Sequence, residues 1–89
     1  MKKLISGKLY NTKSSIAIAS WDNGVEISDP GYSEETLFKS KMETYFIYHK
    51  SYENLDIREV APKDAFEWLQ EHGMIEETEN EFPHMMTDI

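Results

Sequence analysis

Few residues of this chain have side chains that could do chemistry. Three histidines, His49, His72 and His84, are the only soft nitrogen ligands, and there is no cysteine. They are far apart, and no His-Glu-x-x-His pattern occurs, so neither a zinc site nor thiol chemistry is expected. His72 stands just before Gly73, where a partial positive charge suits a helix C-terminus better than a metal. Asp22-Asn23-Gly24-Val25-Glu26 has a calcium-like composition but lacks the alternating oxygen ligands of an EF-hand loop. Nucleophilic catalysis needs a hydroxyl beside a histidine held by a carboxylate. Ser14, Ser15, Ser20 and Ser40 sit in no strand–turn–helix elbow that would provide this. Glu34-Glu35 and Glu76-Glu77 are adjacent acids, and neighbouring side chains point apart in strand and helix alike, so they make poor acid–base pairs. The four glycines are scattered, which excludes a phosphate-cradling loop. The expectation is no catalytic residue, no metal site and no cofactor.

Charge and aromatic surface remain. Nine Lys and Arg against seventeen Asp and Glu give a net charge of −8 and a pI near 4.7. The imbalance is located. Residues 1–13 carry Lys2, Lys3, Lys8 and Lys13 and no acid. Residues 64–89 carry Asp64, Glu67, Glu71, Glu76, Glu77, Glu79, Glu81 and Asp88 and no Lys or Arg. Such a surface repels phosphate and suits a basic protein partner, with a strength that falls as salt rises. Direct nucleic-acid binding is therefore not expected. The candidate contact residues are Asp64, Glu67, Glu71, Glu76 and Glu77, read as an imitation of nucleic-acid phosphates that fills a basic groove. The plain alternative is a solvated helix face with a solubilising tail. Tyr48 and Tyr52 complete the candidate set: with Tyr45 they could form a binding face of a sheet, against the plain reading of packing under helices.

These residues need elements to hold them. Gly7–Asn11 reads as a short first strand, and Asn11 or Thr12 offers an N-cap oxygen. Ile16, Ala17, Ala19 and Ser20 then suggest a helix through Trp21, closed at Asp22-Asn23-Gly24; the alternative makes Asn23-Gly24 a hairpin turn between strands. Thr36–Lys41 and Thr44–His49 read as a hairpin joined by Lys41-Met42-Glu43. Its second strand is apolar on both faces and is therefore expected to be central or covered by helix. Ile57–Val60 suggests a further strand. Pro62–His72 is the clearest helix, with Pro62 in its first turn, Asp64 at its positive end, an apolar stripe of Ala65, Phe66, Trp68 and Leu69, and Gly73 as its stop. Met74–Asn80 can add a helical turn or two before Phe82-Pro83.

Together these elements predict one α+β domain over residues 1–89. It is a small antiparallel sheet around a central hairpin, with two or three helices on one face and residues 83–89 as a tail that docks or frays. A domain of this size buries only roughly 60–65% of its unfolded surface, so eleven aromatics matter for its stability. Met1–Ile5 opens like a signal peptide, but Ser6-Gly7-Lys8 ends the apolar run. No stretch approaches the roughly 20 apolar residues of a membrane span, so a cytoplasmic protein without membrane contact is expected. Oligomeric state is open, with a sheet edge or the Met-rich tail as a possible dimer contact.

Gly7-Lys8-Leu9-Tyr10-Asn11-Thr12, Trp21-Asp22-Asn23-Gly24, Glu34–Lys41, Tyr45-Phe46-Ile47-Tyr48 and Ala65–Gly73, in that order, resemble a family of small acidic proteins of bacteria, phages and integrative elements. The resemblance covers nearly the whole chain. It departs at Glu43, where the family often has Gly; at His49–Asn54, where it often has a Gly-rich loop; and at Ala61, where it commonly has a Ser N-cap. With the acidic surface, the resemblance implies a non-enzymatic inhibitor of host defence, similar to anti-CRISPR proteins, acting in the bacterial cytoplasm on the basic groove of a Cas-type effector. The rival reading is a regulatory, adaptor or antitoxin-like interaction module that uses the aromatic hairpin.

Overall fold

The computed structural model describes residues 1–89. Its elements are β1 (Lys2–Ile5), β2 (Lys8–Asn11), β3 (Ile16–Asp22), β4 (Ser33–Lys39), β5 (Tyr45–Ser51), β6 (Leu55–Val60), α1 (Pro62–Glu71) and α2 (Ile75–Glu81). β3 to β6 form a four-stranded antiparallel meander in sequence order, and β1 and β2 form a separate hairpin. The architecture is α+β.

Strand periodicity sorts the meander into two faces. Ala19, Leu37, Tyr45 and Ile47 join Ala65, Trp68, Leu69 and Phe82 in one core, so both helices pack on that face. Phe38, Phe46 and Ile57 point the other way and meet Tyr10 of β2 in a second core. β5 thus lies inside the sheet with both faces covered, as its doubly apolar sequence requires. The N-terminal hairpin turns at Ser6-Gly7, both with positive φ (51° and 79°), the signature of a two-residue type I′ turn. β1 differs from the sequence reading, in which Met1–Ile5 opens like a signal peptide cut short by Ser6-Gly7-Lys8 and the first strand is Gly7–Asn11. What holds β1 is tertiary. Lys3 Nζ donates to Asp56 Oδ1 at 2.6 Å and to the Ile57 carbonyl at 3.1 Å, and the Tyr10 hydroxyl donates to Glu59.

The helix expected over residues 12–21 is not formed. Asn11 Oδ1 does accept from a backbone amide, that of Lys13, but it caps only a single 3₁₀ turn, Thr12–Ser14. Ile16–Asp22 then runs as β3, paired to β4 with an irregularity between Ala17 and Ala19. The alanines favour helix weakly, but Ala19 and Trp21 reach the helix-side core only from an extended backbone. The hairpin alternative is right in kind and wrong in length: residues 23–32 connect β3 to β4, and Gly24 (φ 79°) donates to Asp22 Oδ1 where the strand ends. β4 begins at Ser33 rather than Thr36. Glu34 and Glu35, poor strand formers alone, face Lys50 and His49 across the pair.

The turn between β4 and β5 closes through hydrogen bonds from Glu43 N to Ser40 O (2.9 Å) and from Ser40 N to Thr44 O (2.8 Å). Glu43 has φ 60°, a left-handed position that glycine occupies without strain. α1 ends as expected at Gly73 (φ 67°), with Met74 N donating to Leu69 O and Gly73 N to Gln70 O, a Schellman closure. Its start is weaker: Ala61 is the N-cap and offers no side-chain acceptor. Ala61→Ser should stabilise the fold by about 1 kcal/mol, raising the melting temperature by roughly 4–8 °C. An unchanged thermal midpoint would mean the first-turn amides gain nothing from a cap.

Candidate functional site

α1 buries Ala65, Trp68 and Leu69 and half-buries Phe66. One-turn spacing places Asp64, Glu67 and Glu71 in a row on the solvent side, and all three are exposed. Glu76 is exposed at the start of α2, and Glu77 beside it is half-buried. Both acids lie in the first turn, where the helix dipole favours them. The five expected acids therefore share one layer. No cation approaches any of them, or Glu79, within 4.0 Å.

The expectation that no base counters the acidic third needs one correction. Glu81 turns inward, where Lys39 Nζ (3.3 Å) and the Tyr45 hydroxyl (2.8 Å) both donate to its Oε2. Lys39 stands next to Tyr45 across the β4–β5 pair, a juxtaposition invisible from one strand. Burial, then the adjacent Glu81 carboxylate, pushes the Tyr45 phenol up to about 12 from 10.0. A folded value raised above the unfolded one gives stability that is present below pH 10 and lost as pH rises towards 12. Ultraviolet titration should therefore show a late-ionising tyrosine that disappears in Tyr45→Phe. An unaltered titration curve for the variant would refute the assignment.

The tyrosines do not form one face. Tyr45 is buried beneath the helices, as its plain reading held. Tyr48 lies on the opposite side of the sheet, partly buried against the Tyr10–Phe46 core. Tyr52, in the turn between β5 and β6, is half exposed. The candidate set therefore divides: the five acids stand on the helix layer, and Tyr48 stands across the sheet from it.

A second polar grouping went unrecognised in the sequence. Glu35 on β4 accepts from Trp68 Nε1 at 2.8 Å through Oε1, and from Arg58 Nη1 at 3.0 Å through Oε2. His49 Nδ1 lies 3.0 Å from the same Oε2. Burial pushes the Glu35 carboxyl upward, but hydrogen bonds from Arg58, Trp68 and His49 outweigh it and hold the group below 4.5. An ionised carboxylate only accepts, so His49 Nδ1 carries the proton and Nε2 is left free. Glu35, His49 and Arg58, with Asn54 and Asp56, line a polar cleft of about 250 Å³. Glu35 already takes three donors, so it is not a free base. It ties the indole of α1 to three strands. Two signals pointed to it: its alternation with Leu37 and Lys39 puts it on the inner face, and a buried indole N–H needs an acceptor.

His72 does end α1, and it also packs between Trp21 and Trp68, each ring centroid 4.7 Å away. His84 is exposed after Pro83. No group of three His, Asp or Glu side chains is placed to hold a metal ion. No helix is long and apolar enough to cross a membrane.

Fold and site together define a small α+β domain that presents an unpaired acidic helix layer on an antiparallel sheet. No family model, curated protein or solved structure matches the chain.

Proposed function

We propose that this protein is a non-enzymatic, protein-binding inhibitor that presents its helix layer to a basic groove. As the sequence resemblance implies, it is a phage or mobile-element product acting on the nucleic-acid channel of a Cas-type effector. One observation carries the reading. The strand acids Glu34, Glu35, Asp56 and Glu59 each have a cationic or histidine partner, whereas six helix acids have none. Charge left unpaired over one layer attracts an oppositely charged surface over roughly a Debye length, about 8–10 Å at physiological salt.

Pull-down against candidate effectors, then competition with DNA, tests the reading. Reversing Glu67, Glu71, Glu76 and Glu77 to Lys takes the net charge from −8 to zero. Binding should weaken by roughly 100-fold or more at low salt, because steering and attraction are lost together. The circular dichroism of the variant should remain that of the native fold. Equal binding by wild type and variant, or binding insensitive to salt, would end the mimicry mechanism.

A second reading, an adaptor or regulatory module, is favoured by Tyr52 and Leu55, each 51% exposed around the β5–β6 turn. It requires binding that is lost in Tyr52→Ala and only weakly dependent on salt.

A further inference from the structure

We propose that the groove between α1, α2 and residues 85–87 seats a basic amphipathic helix of the partner. This deepens the function proposed above and rests on it, since it specifies what the acidic layer receives. The groove has a volume of about 450 Å³, and its apolar lining is Phe66, Leu69, Met74, Ile75, Met85 and Met86. Leu69 is fully buried and forms part of the floor. Ile75, Met85 and Met86 are 67%, 37% and 40% exposed, so folding leaves them in water.

Three features select the occupant. Half of the apolar lining is methionine, whose unbranched, polarisable side chain reshapes around varied apolar surfaces. Helices wall two sides of the groove and offer no strand edge. An occupant lying along them therefore satisfies its own backbone, as a helix does, while laying down apolar residues one turn apart. Charge decides the rest. Between Pro62 and Glu81 a single lysine, Lys63, stands against seven acids. Glu76 adjoins Ile75, Glu79 lies one turn further along α2, and Asp88 follows Thr87 at the tail side. None of these three acids has a cation within 4.0 Å. A helix with Lys or Arg flanking its apolar stripe meets opposite charge along the α2 and tail sides, and an acidic helix is repelled.

The test uses the full chain and three synthetic peptides of roughly 18 residues, five helical turns. One has Leu and Lys in amphipathic order, the second replaces every Leu by Gln, and the third replaces every Lys by Glu. Calorimetry and the methyl resonances of Met74, Met85 and Met86 report binding. The Leu/Lys peptide should bind and shift those methyls. The Gln/Lys peptide should bind at least about tenfold more weakly, and the Leu/Glu peptide should not bind. Ile75→Asp and Met86→Asp, at exposed positions, should each weaken the Leu/Lys peptide by about tenfold with unchanged thermal melts.

Equal binding of the Leu/Lys and Gln/Lys peptides, with unmoved methyls, overturns the groove assignment while the acidic-surface reading stands. Binding of no basic peptide, together with no effect of the fourfold charge reversal on effector binding, removes both. Methyl shifts that depend on protein concentration alone make a second copy the occupant and overturn the proposal.

Discussion

Glu35→Ala should cost about 3 kcal/mol of stability, lowering the melting temperature by roughly 12–24 °C. The carboxylate accepts from Trp68 Nε1, Arg58 Nη1 and His49 Nδ1, and its side chain is only 14% exposed. Alanine leaves the indole N–H and the histidine without their acceptor in a half-buried setting, which costs more than the bonds are worth in water. It also frees the guanidinium of Arg58, which is half in solvent and loses little. The sign of the pH dependence follows from the lowered carboxyl. A folded value below the unfolded one contributes stability above about pH 4.5, which disappears as pH falls through the lower folded value. Glu35→Gln should therefore be less stable than wild type at pH 7 and flatten the acid limb. Urea melts at pH 7 and pH 3 measure both effects. A loss under 1 kcal/mol at pH 7 would show that the contacts are not linked in the folded state. The helix layer that presents the acids is fastened to the sheet at this point, so binding should fall together with stability.

Phe46→Ala should be costlier still, about 4 kcal/mol. Phe46 is fully buried, lies parallel to Phe38 at 5.2 Å and meets the edge of Tyr10 at 5.2 Å. Removing the ring takes away the apolar transfer energy and leaves a cavity between sheet and N-terminal hairpin that neither rigid neighbour can fill. For a domain of this size, total stability is on the order of 5–10 kcal/mol, so the variant should be close to its unfolding threshold at body temperature. Amide exchange localises the damage: β1 and β2 should exchange faster than α1, because the hairpin rests on this core and the helices rest on the other. A urea midpoint within 1 kcal/mol of wild type, or equal loosening of both layers, would contradict this account.

The elements with the strongest local signals form where those signals place them. α1 has an apolar stripe of helical period, a proline in its first turn and a glycine at its end, each acting within a few residues. β5 is apolar on both faces and so had to be covered on both. The turn at residues 41–43 is short enough to dictate the pairing of its strands. The errors fall where local preference is weak. In Ile16–Asp22, alanines beside β-branched residues suit either helix or strand, and pairing with β4 decides between them. Lys2–Ile5 becomes a strand only because Asp56, Ile57 and the core beneath Tyr10 receive the hairpin.

The sequence by itself determined the net charge, the exclusion of thiol and thiol-ligated metal chemistry, the main helix with its outward acids, and the central strand pair. These depend on composition and on periods of two or 3.6 residues, which require no knowledge of distant partners. Tertiary structure alone decided which charges are spent and which are free. Lys39 neutralises Glu81 across 42 residues, and Trp68 finds Glu35 across 33, while six acids of the helix layer are left unpaired. Pairing of charges depends on distances of a few ångströms between residues far apart in the chain, and only the packed fold sets those distances.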